Sequence, residues 1–124
     1  EIPDSRYENW REAGMPQLVA DNAIASLLVL GEPARNWRDL DLSRHSLAVK
    51  VNGETVDEGV GANVLGDPRA ALTWLANALS ERGMGLEAGQ IVTTGSAANV
   101  IKVNPGDTVV ADFGDLGMAE ANFG

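Results

Sequence analysis

Three short runs of this chain carry side chains whose types and spacing suit chemistry. In Asp4-Ser5-Arg6 a carboxylate and a planar guanidinium stand two residues apart, a spacing that allows an orienting ion pair through two hydrogen bonds. A surface pair of no consequence is the alternative. Asp21-Asn22 opens an apolar stretch, where a buried polar side chain must find hydrogen-bond partners. Asp21 therefore caps a helix or, together with Asn22, lines a pocket. Thr94-Gly95-Ser96 is expected to end a strand, and its glycine would let the backbone approach a ligand while hydroxyls and amides bind a carboxylate or enolate. A tight turn that needs glycine for its dihedral angles competes with that reading.

The remaining reactive residue types offer less. His45 is the only histidine and reads as a surface residue before a strand, and there is no Gly-x-Ser-x-Gly turn to build a serine hydrolase around. Lys50 and Lys102, the only lysines, alternate with apolar neighbours as solvent-facing residues of a half-buried sheet do. Without cysteine there is no thiolate nucleophile, disulfide or zinc finger. Trp10, Trp37 and Trp74 are scattered, Trp74 being expected in the core, so no base-stacking platform is present.

These groups must be positioned by a chain of 124 residues, 44% hydrophobic, which suits a single domain over 1–124. The formal charge of −9 disfavours nucleic acid and anionic membrane as partners and is compatible with a metal cation. Ala23 to Leu30, the longest mostly apolar stretch, is far short of the roughly 20 residues a bilayer crossing needs. No secretory signal precedes it, so the cytoplasm is the expected location. The first residue is Glu rather than Met, and further residues are expected upstream.

Residues 1–7 read as a short strand, 8–12 as one helical turn stopped by Gly14 and Pro16, and 17–25 as a second short helix. Leu27 to Leu30 is expected as a buried strand, and 32–42 as loop. Ser46–Val51 and Thr55–Val60 flank Asn52-Gly53, the strongest signal for a two-residue type I′ hairpin. Asp67 and Pro68 open a helix over about 68–82, with Ala71, Leu72, Leu75, Ala76 and Leu79 on one face, packed on a sheet and ended by Gly83. Strands are expected at 90–94 and 100–103. After a turn at Asn104 to Asp107, a closing hairpin pairs Thr108–Phe113 with Met118–Phe123. Strands dominate and one helix interrupts them, which defines an α+β class with a curved antiparallel or mixed sheet.

Several motifs, in order, resemble one family. Glu1-Ile2-Pro3-Asp4-Ser5-Arg6, Ala20-Asp21-Asn22-Ala23, Gly61 to Pro68, Trp74-Leu75-Ala76-Asn77, Thr93 to Ser96, Pro105-Gly106-Asp107 and Phe113 to Gly117 are similar to the fumarylacetoacetate hydrolase superfamily. The branch they resemble holds 2-keto-4-pentenoate hydratases and 4-oxalocrotonate decarboxylases. The resemblance implies a curved β-roll and places this chain as the C-terminal catalytic part of a longer, soluble, oligomeric enzyme, with the N-terminal part absent.

It also implies a Mg²⁺ or Mn²⁺ cofactor, a hard cation that prefers oxygen donors, with Glu1 as one ligand. Asp4, Arg6 and Asp21 would support that ligand, and Thr94, Gly95, Ser96 and Asn22 would contact substrate. The family's Glu-x-Glu pair and active-site lysine do not occur here. The activity implied is hydration of a 2-hydroxy-2,4-dienoate to a 4-hydroxy-2-keto acid in aromatic catabolism. Decarboxylation of a 2-oxo-enedioate, or an inactive chain acting as partner in a homo-oligomer or beside a related chain, are the alternatives.

Overall fold

The computed structural model describes all of residues 1–124, and the chain gathers into two compact bodies, Glu1–Leu30 and Gly31–Gly124. In the first body, β1 (Ile2–Pro3) pairs antiparallel with β2 (Ala25–Leu27), with an irregular register that sets Ile2 opposite Leu27 and Pro3 opposite Ala25. A 3₁₀ turn at Trp10–Glu12 and helix α1 (Met15–Ala20) lie between them. The turn ends at Glu12, before Gly14 and Pro16 as expected, and these two residues also begin α1. Gly14 adopts a φ of 85° before the first turn, and Pro16 sits where a missing N–H costs nothing.

Burial of the 27–30 run is also corrected. The strand ends at Leu27, which is 65% exposed, because a two-residue partner strand supplies an edge but no covering layer. Asn22, Ala23 and Ile24 form a left-handed turn with φ of 54°, 51° and 59°. Nothing in an Ala or a β-branched Ile invites that conformation, which costs roughly 1–2 kcal/mol per residue. Bonds from Ile24 N to Asp21 O (3.0 Å), from Asp4 N to Ile24 O (3.0 Å) and from Asn22 Nδ2 to Ala25 O (3.3 Å) hold it.

The second body is built on an antiparallel sheet in the order β4-β3-β5-β6, comprising β3 (Ser46–Val51), β4 (Glu54–Val60), β5 (Thr108–Asp112) and β6 (Met118–Asn122). Asn52 and Gly53 take φ of 52° and 87°, the signs a type I′ hairpin needs. Asn52 also reaches beyond its own turn. Its Oδ1 accepts from Thr108 N (2.9 Å) and its Nδ2 donates to Asp107 Oδ1 (2.8 Å), pinning the hairpin tip to the turn before β5.

Register separates the faces. Val49, Ala111 and Ala119 align across three strands, as do Val51, Val109 and Ala121, giving a small-residue apolar face. On the opposite face Lys50 Nζ meets Asp112 Oδ2 diagonally at 2.9 Å, so Lys50 is paired rather than simply solvent-facing.

Helix α2 (Pro68–Ser80) begins as expected, with Asp67 Oδ1 accepting from Arg69 N at 2.8 Å. Beyond Ser80 the backbone turns through Gly83 at φ 69°, with Met84 N bonded to Leu79 O and Gly83 N to Ser80 O, a glycine-dependent helix ending. Its apolar face is only half-buried, and Trp74, expected in the core, is 68% exposed. The strands expected at 90–94 and 100–103 do not form, since neither segment finds a ladder partner. Val64, 6% exposed, is the one buried apolar side chain. No helix is long and apolar enough to cross a membrane.

Candidate functional site

In the first body the buried group is Asp21, 5% exposed, at the end of α1. Its Oδ2 accepts from Ser5 Oγ (2.6 Å) and Arg6 N (3.2 Å), and its Oδ1 from Arg6 Nη1 (2.7 Å). The Ser5 hydroxyl, followed by the Arg6 amide and guanidinium, holds the Asp21 carboxyl below its usual 3.8 against the opposing effect of desolvation. Arg6 thus pairs with Asp21, not with Asp4 as expected. Asp4 Oδ1 accepts from the adjacent Ser5 amide, a bond open to any carboxylate at that position. Asp21 therefore neither caps through its side chain nor opens to a pocket, but ties the segment after Glu1 to the left-handed turn. Asn22 is exposed, as is Glu1.

No three His, Asp or Glu side chains are grouped so as to hold a metal ion. A hard divalent cation wants several oxygen ligands, so the carboxylate of Glu1 with those of its neighbours does not make a complete centre within this chain.

The second body carries a hollow of about 290 Å³ lined by Leu65, Ala71, Trp74, Leu75, Val92, Thr93 and Thr94. Thr94 thus lies on a cavity wall, while Ser96 is exposed. Gly95 holds φ at 120°, and a Cβ there would stand 3.5 Å from Val64 Cγ1, so the turn demands glycine on dihedral grounds alone. Sequence reasoning missed that Trp74 and Leu65 wall this hollow. The signal was Trp74 lying beside the helix's apolar stripe rather than within it. His45 was also misjudged as a surface residue. It is half-buried, with Nε2 2.6 Å from Phe113 O, and joins the start of β3 to the turn after β5.

Several carboxylates of this body have their pKa depressed by the hydrogen bonds they accept. Asp57 accepts from Asn99 N, Asp107 from Asn104 N and Asn52, Asp112 from Lys50, and Asp67 is drawn down to about 2 by Arg69. Each binds its proton less readily folded than unfolded, so its contribution is present above the ordinary 3.8 and lost as pH falls through the folded value. Urea midpoints should hold steady down to about pH 5, fall below about pH 4 and still be falling near pH 2. A midpoint unchanged at about pH 2.5 would contradict these pairings.

An α+β chain with an antiparallel sheet, one main helix and a threonine-glycine turn beside an apolar hollow now has its family. A model described as fumarylacetoacetate (FAA) hydrolase C-terminal matches residues 5–123, and the chain belongs to that family. Over 123 residues, 99% of this chain, it is 38% identical to a 4-oxalocrotonate decarboxylase of Pseudomonas putida and covers 46% of that protein. It is 36% identical over 123 residues to a 2-keto-4-pentenoate hydratase of Burkholderia vietnamiensis, covering 47% of it. The solved 4-oxalocrotonate decarboxylase from Pseudomonas putida G7, complexed with magnesium and adipate, matches 98% of this chain and 46% of its own, with a TM-score of 0.86 and 37% identity. A second structure of that decarboxylase, complexed with calcium and acetate, gives a TM-score of 0.84 at 36% identity. The chain spans about half the length of the relatives it matches. Family and α+β class agree with the sequence-based expectation.

Proposed function

We propose that residues 1–124 form the C-terminal part of a divalent-metal-dependent lyase of the cytoplasm that hydrates a 2-hydroxy-2,4-dienoate to a 4-hydroxy-2-keto acid. The carrying observation is identity over 123 of the 124 residues to 2-keto-4-pentenoate hydratases, at 36% for the first of them. Mg²⁺ or Mn²⁺ is the proposed cation, as a Lewis acid polarising the substrate's oxygens, with Glu1 supplying one ligand among others. Asp4, Arg6 and Asp21 position that segment, Arg6 through the buried Asp21. In the second body the Thr94 hydroxyl and the amides of Gly95 and Ser96 are proposed to hold the substrate's carboxylate or enolate, and in the first body Asn22 is proposed, separately, as a substrate contact. No lysine or histidine lines the hollow beside Thr94, so proton transfer is assigned to none of its residues.

Decarboxylation of a 2-oxo-enedioate is the second reading, favoured by the 38% identity to the Pseudomonas putida decarboxylase and by the two decarboxylase structures. Assaying the native protein on a dienoate and an enedioate, with carbon dioxide measured, separates the two. Activity on neither, with magnesium supplied, would leave the chain as an inactive partner in an assembly. The same protein tests the site. Glu1→Gln should weaken Mg²⁺ binding by more than the roughly 10–100-fold that losing a supporting group costs. Unchanged Mg²⁺ affinity would remove Glu1 from the metal shell.

A further inference from the structure

Asn52 is the only asparagine of the chain that a glycine follows. An asparagine side chain is an amide carbonyl standing next to the backbone nitrogen of the following residue, so the two can react by closing a small ring, and such proximity is worth a large effective concentration. Glycine removes the crowding that a Cβ would set around the attacking nitrogen. Crowding from elsewhere is absent too, since nothing beyond the chain neighbours lies within 4 Å of the position a Gly53 Cβ would take. Asn52 and Gly53 are both exposed, so water reaches the tip.

What the fold adds is a restraint. Asn52 Nδ2 donates to Asp107 Oδ1 at 2.8 Å, and Asn52 Oδ1 accepts from Thr108 N at 2.9 Å, so both ends of the side-chain amide are held by partners 55 and 56 residues away. The Asn52 backbone N–H adds a third bond, to Thr108 O at 2.8 Å. Asp107 is itself fixed, because its Oδ2 accepts from Asn104 N at 2.8 Å. It therefore does not follow the Asn52 side chain if that side chain turns. Ring closure onto Gly53 N requires such a turn, and the turn gives up both side-chain bonds.

We propose that Asn52 is a site of self-modification, held in check by Asp107 and Thr108 and released when the hairpin tip parts from the turn before β5. In the released tip, Gly53 N attacks Asn52 Cγ. A C–N bond forms, the Cγ–Nδ2 bond breaks, and ammonia leaves with the proton that Gly53 N gives up. Water then opens the cyclic imide at either carbonyl and leaves an aspartate, or its β-linked isomer, at position 52. Water is the only co-reactant. The product cannot restore the restraint, because a carboxylate has no proton to donate to Asp107 and instead sets a second negative charge against it. The β-linked isomer also adds a methylene to the backbone of a two-residue turn. Each tip that reacts is thus biased towards staying open, and the conversion is a one-way timer whose rate reports local opening of the second body. This inference stands on the geometry of the tip, independently of the activity proposed above.

The native protein is incubated at mildly alkaline pH, folded and in denaturing urea, while peptide maps by mass spectrometry follow asparagine, aspartate and isoaspartate at position 52. In urea, Asn52 should convert ahead of every other asparagine. In the folded protein it should lag by roughly tenfold, the effect of two hydrogen bonds that must open first. Equal rates in the two conditions overturn the restraint. Asp107→Ala should speed conversion in the folded protein several-fold. A slower rate would show that the Asp107 carboxylate takes the proton of the attacking amide, and would overturn the proposal as well. Should Asp107→Ala leave the β3–β6 amides unprotected, Asn52→Asp supplies the product directly. Fast exchange at amides 52 and 108 and a lowered urea midpoint are then expected, and native-like protection at both amides overturns the claim that conversion frees the tip.

Discussion

Gly59→Ala should destabilise the second body by about 3 kcal/mol and detach residues 97–99 from β4, as read from urea midpoints and amide exchange. A Cβ on Gly59 would collide with the carbonyl oxygen of Ala97, with its carbonyl carbon at 2.8 Å and the Ala98 Cα at 3.2 Å. All three are backbone atoms, so no side chain can rotate away and the segment itself must move. Once it moves, the bonds from Asn63 to Ala97 and from Asn99 to Asp57 are lost together. Gly53→Ala is the natural comparison. Gly53 has nothing within 4 Å of its would-be Cβ, so its φ of 87° leaves only a conformational cost of about 1 kcal/mol. A Gly59→Ala midpoint no lower than that of Gly53→Ala would show that 97–99 does not lie against β4.

Asp21→Asn is the second large effect, and it falls on the first body. The side chain keeps its shape but loses the charge that accepts from Ser5 Oγ, Arg6 N and Arg6 Nη1 at once. What remains is a strand pair of two and three residues and a left-handed turn. Pairs that short do not persist unaided in water, and the turn carries its own conformational cost. Amide protection at Asp4 and Ile24 should therefore disappear and Arg6 become open to trypsin, while β3–β6 keeps its exchange rates. Arg6→Ala should do less, because Arg6 is 82% exposed and Ser5 with the Arg6 amide would still satisfy the carboxylate. Equal effects from the two variants would mean that the ion pair, rather than the buried carboxylate, carries the anchoring.

The sequence by itself determined the elements whose instructions are local. Asn52-Gly53 dictates its hairpin through dihedral preference, Asp67-Pro68 starts α2, Gly83 ends it, and the 104–107 and 114–117 turns set up β5 and β6. Each of those signals acts between residues a few positions apart, so no distant partner is needed to read it. Thr94, for which the family resemblance implied substrate contact, lines a hollow. Tertiary structure decided everything that needed a partner. Arg6 had carboxylates at Asp4 and Asp21 within reach and took the one 15 residues away, because only Asp21 is buried and also gathers Ser5. Ala23 and Ile24 became left-handed against their own preference, held by bonds from outside the turn. Alternation at 91–94 and 100–103 marks strand shape, but a strand exists only when another backbone answers its amides, and within this chain none does. Burial obeys the same logic. Composition promised a core, yet whether Leu27 or Trp74 is covered depends on what lies opposite, which no local pattern can specify.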